Sequence, residues 1–341
     1  MFTLKELSVP VVQAPMAGGP STVELAIAVS NAGALGFLAG GYITPEQCRH
    51  NILTYQKGSA APFGVNLFVP EAVRATPADI SSYATHLASL AQELDIPAPR
   101  YEDVKDSYQE QLADYRTAVN NLMQEPVPVV SFTFGLPSSD VIAGLNRAGT
   151  AVFLTVTSEA EAQAALDLHP QGLVVQGYEA GGHRGTHDQS QAPNASSTQE
   201  LVRCIRAGTS AEIIAAGGVG TAADVRQLLA AGADAVAVGT LFLTAHEAGT
   251  KALHRQALLR SDSAETVTTR VFSGRVARAI DNAFIRRMTS AEVIGYPEVH
   301  FLTSPLRKAA ADADGLNLWA GMGYRNAFSG SAEEIIESLR P

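Results

Sequence analysis

The feature that most constrains this chain is a repeating unit. An apolar run ends in a small or polar residue, a helix-like segment with a capped start follows, and that segment closes on glycine. The closing glycines include Gly33, Gly149, Gly208 and Gly232, because a residue just past a helix end commonly turns left-handed. The helix starts carry capping-box patterns: Thr44-Pro45-Glu46-Gln47, Ser158-Glu159-Ala160-Glu161, Ser197-Thr198-Gln199-Glu200 and Thr221-Ala222-Ala223-Asp224. In each, the hydroxyl satisfies an orphan N–H and the residue three positions on reaches back.

This punctuation predicts eight strands, at 9–16, 35–39, 63–69, 129–135, 151–157, 172–177, 212–218 and 235–243. Most are continuous apolar runs, the pattern of parallel strands covered on both faces. Eight parallel β/α units predict an α/β protein built as a (β/α)8 TIM barrel. An open doubly wound sheet is the rival. It requires a strand opening into a GxGxxG turn, and Gly217-Gly218-Val219-Gly220 is not that fingerprint.

Two segments break the rhythm. Residues 70–126 read as a helical insertion after the third strand and carry Tyr83, Tyr101, Tyr108 and Tyr115. Residues 246–314 are richer in arginine and read as a helical lid or substrate domain. The expected organisation is a barrel over 1–245 that includes the insertion, a lid over 246–314, and a tail over 315–341 that returns to the barrel.

Composition narrows the function. Of 341 residues 46% are hydrophobic and 17% charged, against roughly 25% charged in typical soluble proteins. That fits a large core and leaves room for a homo-oligomer. The net charge of −10 argues against nucleic-acid binding, which needs a basic face. Cys48 and Cys204 stand apart from any ligand cluster, so neither a metal site nor a disulfide framework is expected. The first residues lack a signal-peptide pattern, and no run nears the ~18 apolar residues of a membrane span. A soluble, cytoplasmic protein is the expectation.

In such a barrel the chemistry gathers at the C-terminal ends of the strands. The last two strands end in Gly217-Gly218 and in Ala237-Val238-Gly239-Thr240. Bare amides and a hydroxyl there suit a phosphate group. A side chain at Gly218 is expected to meet that phosphate; the plainer reading is that these glycines allow tight turns. Asn66 and Gln176 have amides able to face the edge of a flat heterocycle such as an isoalloxazine, or to be satisfied core residues. Past Gln176 the sixth strand runs into Gly181-Gly182-His183. His183 reads either as a surface histidine beside Glu179 or Asp188, or as a base, acid or local positive charge over a pocket. Arg307 and Lys308 are candidates to attract an anionic substrate, and Tyr108 is a candidate gate.

These residues resemble the nitronate monooxygenase family, formerly 2-nitropropane dioxygenases, over nearly the whole chain. The resemblance rests on QAPMAGG (13–19), GVNLF (64–68), SFTFG (131–135), QGYEAGGHRG (176–185), IIAAGGVGTAADV (213–225) and VGTLFLTAHEA (238–248). GYPEVHFLTSPLRKAA and LWAGMG are similar to the class I subgroup. It implies an FMN-bound barrel under a smaller helical domain. Ala14, Pro15 and Met16 would lie along the flavin ring, and Asn66 and Gln176 would bind it. Gly181, Gly218 and the turn Ala237, Val238, Gly239, Thr240 would hold its ribityl phosphate side, and Gly182 and Gly217 would also bind the cofactor. Met322 and Gly323 would approach from the tail, and His183 would be the catalytic histidine.

The implied reaction is oxidation of an alkyl nitronate by FMN and O2, through the flavin semiquinone, to a carbonyl compound and nitrite. Propionate 3-nitronate, a toxic nitronate, is the implied substrate and detoxification the implied role. The alternatives on the same scaffold are an NAD(P)H-dependent FMN reductase of quinones or enoyl thioesters, and a flavin-binding protein without catalysis.

Overall fold

The computed structural model describes residues 1–72, 75–260 and 264–341. Residues 73–74 and 261–263, which fall within the expected insertion and lid, lie outside the described residues.

Numbered along the chain, β1 (Val11–Gln13), β2 (Gly36–Ala39), β3 (Phe63–Phe68), β4 (Val129–Thr133), β5 (Ala151–Val156), β6 (Gly172–Gln176), β8 (Glu212–Ala216) and β9 (Ala235–Val238) are all parallel. Their order is β1-β9-β8-β6-β5-β4-β3-β2. Gln13 N donates to the Leu35 carbonyl at 2.9 Å and Leu35 N to the Val11 carbonyl at 3.0 Å, joining the two edges. The expected TIM barrel is therefore present, with shorter strands than the apolar runs suggest.

Each strand is buried on both sides, which is why the runs do not alternate. Val12, Leu35, Phe37, Val129, Phe153 and Ile214 fill the interior, and Phe2 and Leu4 join that cluster. Val11, Leu38, Val65, Val130, Leu154 and Leu173 face the surrounding helices. The capping residues do their expected work at Ser197 and Thr221, where both halves of the box form. At Ser158 only the hydroxyl half forms. The Glu161 carboxylate turns to Thr157 N and Oγ1 at 2.6 and 2.8 Å and to His187 N at 2.8 Å. At Thr44 the Gln47 amide bonds Asn51 instead.

The insertion supplies two long helices, Pro77–Glu93 and Ser107–Gln124. The first packs on Glu298–Ala309 of the expected lid. Ile80, Tyr83 and Leu87 share a core with Phe272, Phe284, Val299, Leu302 and Leu306, so insertion and lid form one layer over the barrel. Residues 246–314 also hold strands that the helical expectation misses. β10 (Thr266–Thr269) and β11 (Ala277–Ile280) form an antiparallel hairpin, and β11 pairs with β7 (Gly182–His183). Four-residue strands carry too little periodicity to be read from sequence.

The last residues bond the loops at the strand ends. Gly321 N donates to Thr240 Oγ1 at 3.0 Å and Met322 N to the Glu179 carbonyl at 3.0 Å. Among the described residues no helix is long and apolar enough to cross a membrane.

One buried charge in the lid sets a pH dependence. Glu298, at the start of its helix, is buried and its Oε2 has no partner. Burial pushes its carboxyl up to about 7. The unfolded chain loses that proton near the ordinary value, so stability falls as pH rises from ~4.5 through about 7 and then levels. Glu298→Gln should raise stability more at pH 8 than at pH 5, by on the order of 1–2 kcal/mol after solvent screening. Denaturant melts at the two pH values measure this; an equal change at both would remove the carboxyl as the cause.

Candidate active site

β6 carries Gln176 to the barrel mouth, and the loop that follows doubles back as β7. In that pairing Ala277 stands opposite His183 and Arg278 opposite Gly182. Gln176 braces the same loop: its Nε2 donates to the His183 carbonyl at 3.1 Å and its Oε1 accepts from Gly185 N at 2.8 Å. Arg184, buried beneath, donates to the carbonyls of Gln176 and Gly177. The histidine is thus held by both barrel and lid.

His183 is ringed by Phe134 at 5.7 Å, Tyr296 at 6.2 Å and Trp319 at 5.2 Å between ring centroids. Its Nε2 lies 2.8 Å from the Ser273 hydroxyl. That hydroxyl also sits 3.2 Å from the Arg275 carbonyl, to which it can donate. Desolvation, then Arg275, then Arg307, push the imidazole down to about 3. Burial and the two guanidiniums therefore favour the uncharged imidazole at neutral pH. Glu179 is not its partner; that carboxylate accepts from Thr198 N and Oγ1 at 3.0 and 2.8 Å.

The positive charge comes from arginines. Arg275 is fully buried, its guanidinium 4.3 Å from the Phe134 ring centroid and 5.6 Å from that of Tyr296. It bonds Glu71 at 2.6 Å and the Thr186 carbonyl at 2.6 Å. Glu71 in turn accepts from Gln189 N at 3.0 Å, and Gln189 accepts from Tyr296 N at 3.1 Å. Arg307 donates to Thr303 Oγ1 at 3.2 Å and to the His300 carbonyl at 2.8 Å. Burial lowers it to about 10, with only the hydroxyls of Tyr42 and Tyr83 acting against that fall. Burial, Arg307 and His183 also hold His300 well below its ordinary value.

The rest of the mouth is glycine-rich. Gly217, Gly218 and Gly182 have φ of +127°, +77° and +70°, a region natural to glycine. The N–H groups of Gly217, Gly218, Val219, Gly239 and Thr240 donate to no described protein group. A Cβ at Gly182 would enter open space, while one at Gly218 would meet the Glu179 side chain at 3.1 Å. Within the protein itself, a side chain at Gly218 is opposed by its φ and by Glu179. At Gly181 a Cβ would lie 2.3 Å from Gly321 N, so that glycine admits the tail.

The remaining candidates fall on both sides of this centre. Ala14, Pro15 and Met16 are half-buried at the mouth, and Gly239 faces Ala14 and Met16. Asn66 Nδ2 donates to Ser131 Oγ at 2.9 Å and Thr133 Oγ1 at 3.0 Å. Ala237 and Val238 are buried in β9, Gly323 packs against Gly218 and Gly220, and Met322 is 48% exposed. Lys308 is exposed while Arg307 turns inward, and Tyr108 is half-buried outside the ring around His183. Sequence inspection did not single out Ser273, Arg275, Tyr296, His300 or Trp319 as site residues. They come from the arginine-rich segment and the tail, and no spacing marks them as neighbours of His183.

The nitronate monooxygenase family model matches residues 2–341. The chain belongs to the nitronate monooxygenase family. It is 34% identical over 326 residues to a probable nitronate monooxygenase of Bacillus subtilis (strain 168), covering 94% of this chain and 91% of that one. It is 35% identical over 337 residues to a probable nitronate monooxygenase of Staphylococcus aureus (strain Newman), covering 97% and 93%. Among solved structures, nitroalkane oxidase from Streptomyces ansochromogenes is similar at a TM-score of 0.92 and 40% identity, covering 98% and 95%. FabK from Thermotoga maritima, at 0.74 and 22% over 98% and 93%, shares the fold. This family member is accordingly an oxidoreductase on a TIM barrel.

The arginine contribution is measurable. Arg275→Met removes the buried guanidinium that bonds Glu71 and the Thr186 carbonyl and should cost about 3 kcal/mol. Because Arg275 lowers the His183 pKa, its removal should raise it. Chemical denaturation and an NMR titration of the His183 ring read the two effects; an unmoved titration would disconnect Arg275 from the histidine.

Proposed function

We propose that this chain oxidises alkyl nitronates with O2, using FMN held at the strand ends, and that His183 works as a neutral imidazole. The observation that carries this is His183 itself: uncharged, walled by three rings, and set in the field of Arg275 and Arg307.

The donor set fits FMN. Five unused N–H groups at Gly217–Val219, Gly239 and Thr240 suit its phosphate. Gln176 retains one amide hydrogen beyond the bonds it makes, and Asn66 retains its carbonyl oxygen, so both can meet the edge of a flavin ring. Ala14, Pro15 and Met16 would line one side, and Met322 and Gly323 would close the tail side. Bound FMN would supply the electron acceptance that no side chain here provides.

The chain's own residues then do three things. Arg275 and Arg307 stabilise the nitronate anion where water is excluded. The aromatic ring of Phe134, Tyr296 and Trp319 keeps that water out. A neutral His183 hydrogen-bonds an incoming nitronate, or takes the α-proton of a neutral nitroalkane, since an unprotonated imidazole can accept one. Ser273 holds one ring nitrogen, leaving the other for the substrate. The substrate class is a small alkyl nitronate, propionate 3-nitronate included, with detoxification as the role.

Purified protein should be yellow, and anaerobic ethylnitronate should bleach it. Bleaching by NADH with none by any nitronate would instead support a reductase. His183→Asn should keep bound FMN and lose at least tenfold in kcat/KM for ethylnitronate, and unchanged kinetics would remove His183 from the chemistry. In the wild-type pH profile of kcat/KM, His183 should produce no inflection near pH 6.5, because burial and the arginines keep it unprotonated down to about 3.

A further inference from the structure

The Ser273 hydroxyl is buried in the turn before β11 and has three polar neighbours. His183 Nε2 lies 2.8 Å from it, the Arg275 carbonyl 3.2 Å and Arg275 N 3.3 Å. We propose that Ser273 is a positioning residue: it holds the proton of the neutral His183 ring on Nε2 and so leaves Nδ1 as the bare nitrogen offered to a substrate. Its part in turnover rests on the nitronate-oxidising reading; the tautomer does not.

A serine hydroxyl has one proton and two lone pairs. Arg275 N–H can only donate and the Arg275 carbonyl can only accept, so Oγ receives from the first and gives its proton to the second. The remaining lone pair faces Nε2, which must then carry a proton. In this arrangement every group is satisfied. In the other tautomer Ser273 gives its proton to Nε2, and the Arg275 carbonyl loses its donor. Among the described residues no other group donates to that carbonyl. Arg275 is fully buried, and a buried carbonyl left unpaired is costly. The tautomer is thus chosen by the backbone of a turn that the sheet pairing holds in place, with Ala277 opposite His183.

Nδ1 is the atom left for chemistry. It bonds no described group, yet it is not sealed from open space as the hydroxyls of Tyr42 and Tyr296 are. A bare nitrogen accepts a proton and has none to donate. Of the two tasks open to a neutral His183, taking the α-proton of a nitroalkane is the one this ring is set for. The Cα–H bond breaks, its electron pair forms the C=N bond, an N=O pair moves onto oxygen, and the proton joins Nδ1. Ser273 accepts from Nε2–H before and after that transfer, so its hydroxyl does not have to turn. A nitronate that arrives already ionised is held by Arg275 and Arg307 instead.

The test uses the full-length, FMN-loaded protein with 15N-labelled histidine. In a neutral imidazole the bare nitrogen resonates far downfield of the protonated one, so long-range 1H–15N spectra read the tautomer. Among the eight histidines, the His183 signals are those lost in His183→Asn. The wild type should show Nε2 protonated and Nδ1 bare. Ser273→Ala should bring both nitrogens toward an intermediate shift, and Ser273→Thr, which keeps a hydroxyl, should keep the wild-type pattern. The ratio of kcat/KM for nitroethane to that for ethylnitronate should fall at least about tenfold in Ser273→Ala and stay within about threefold in Ser273→Thr, because only the neutral substrate needs a base. A wild type protonated on Nδ1, or a Ser273→Ala ring with unchanged shifts, would overturn the proposal, and the first reading needs no variant to fold. A wild type that turns over ethylnitronate but not nitroethane would overturn Nδ1 as a proton acceptor. Turnover of neither would overturn the nitronate-oxidising reading, while the spectra would still decide the tautomer.

Discussion

Two residue pairs of backbone hold the site together: Ala277 opposite His183 and Arg278 opposite Gly182. Without that pairing the β6 loop is a glycine-rich turn at a barrel mouth. With it, the loop becomes the third strand of the lid's sheet, and the turn before β11 brings Ser273 to His183 Nε2 and places the Arg275 charge where it acts on the ring. Gly182 takes a positive φ, and a side chain there would carry a backbone cost.

The electrostatics follow from the same closure. Bringing Arg275 under the lid requires a counter-ion, and Glu71, at the exit of β3, provides it. The pair also ties Thr186 and, through Gln189, Tyr296 into one network. A guanidinium over two aromatic faces gains cation–π attraction as well. The result is a site whose charge resides on arginines and whose histidine is neutral, a division of labour suited to an anionic substrate. Arg307 adds a second cation that no described carboxylate faces.

How legible this was differs by element. The barrel was readable because parallel strands buried on both faces must be apolar throughout, and because caps and closing glycines mark each helix. His183 was readable as a candidate because a glycine-rich loop at a strand end is where this fold places chemistry. The hairpin of β10 and β11 was not, since four-residue strands leave no periodicity. Gly218 was readable as special, while its φ and the nearness of Glu179, 39 positions earlier in the sequence, came only from the structure.

By itself, the sequence determined the strand and helix plan and membership in a family whose motifs span the chain, and it pointed to the barrel mouth as the place for a site. Those are properties of local pattern, carried by burial, caps and turn chemistry within a few residues. Only the tertiary structure showed that burial and two arginines bias His183 toward its uncharged form, that Arg275 and Arg307 are the nearby cations, and that Trp319 and Tyr296 stand around it. A pKa depends on desolvation and on charges a few ångströms away in space, and here those charges come from residues about 90 and 125 positions along the chain.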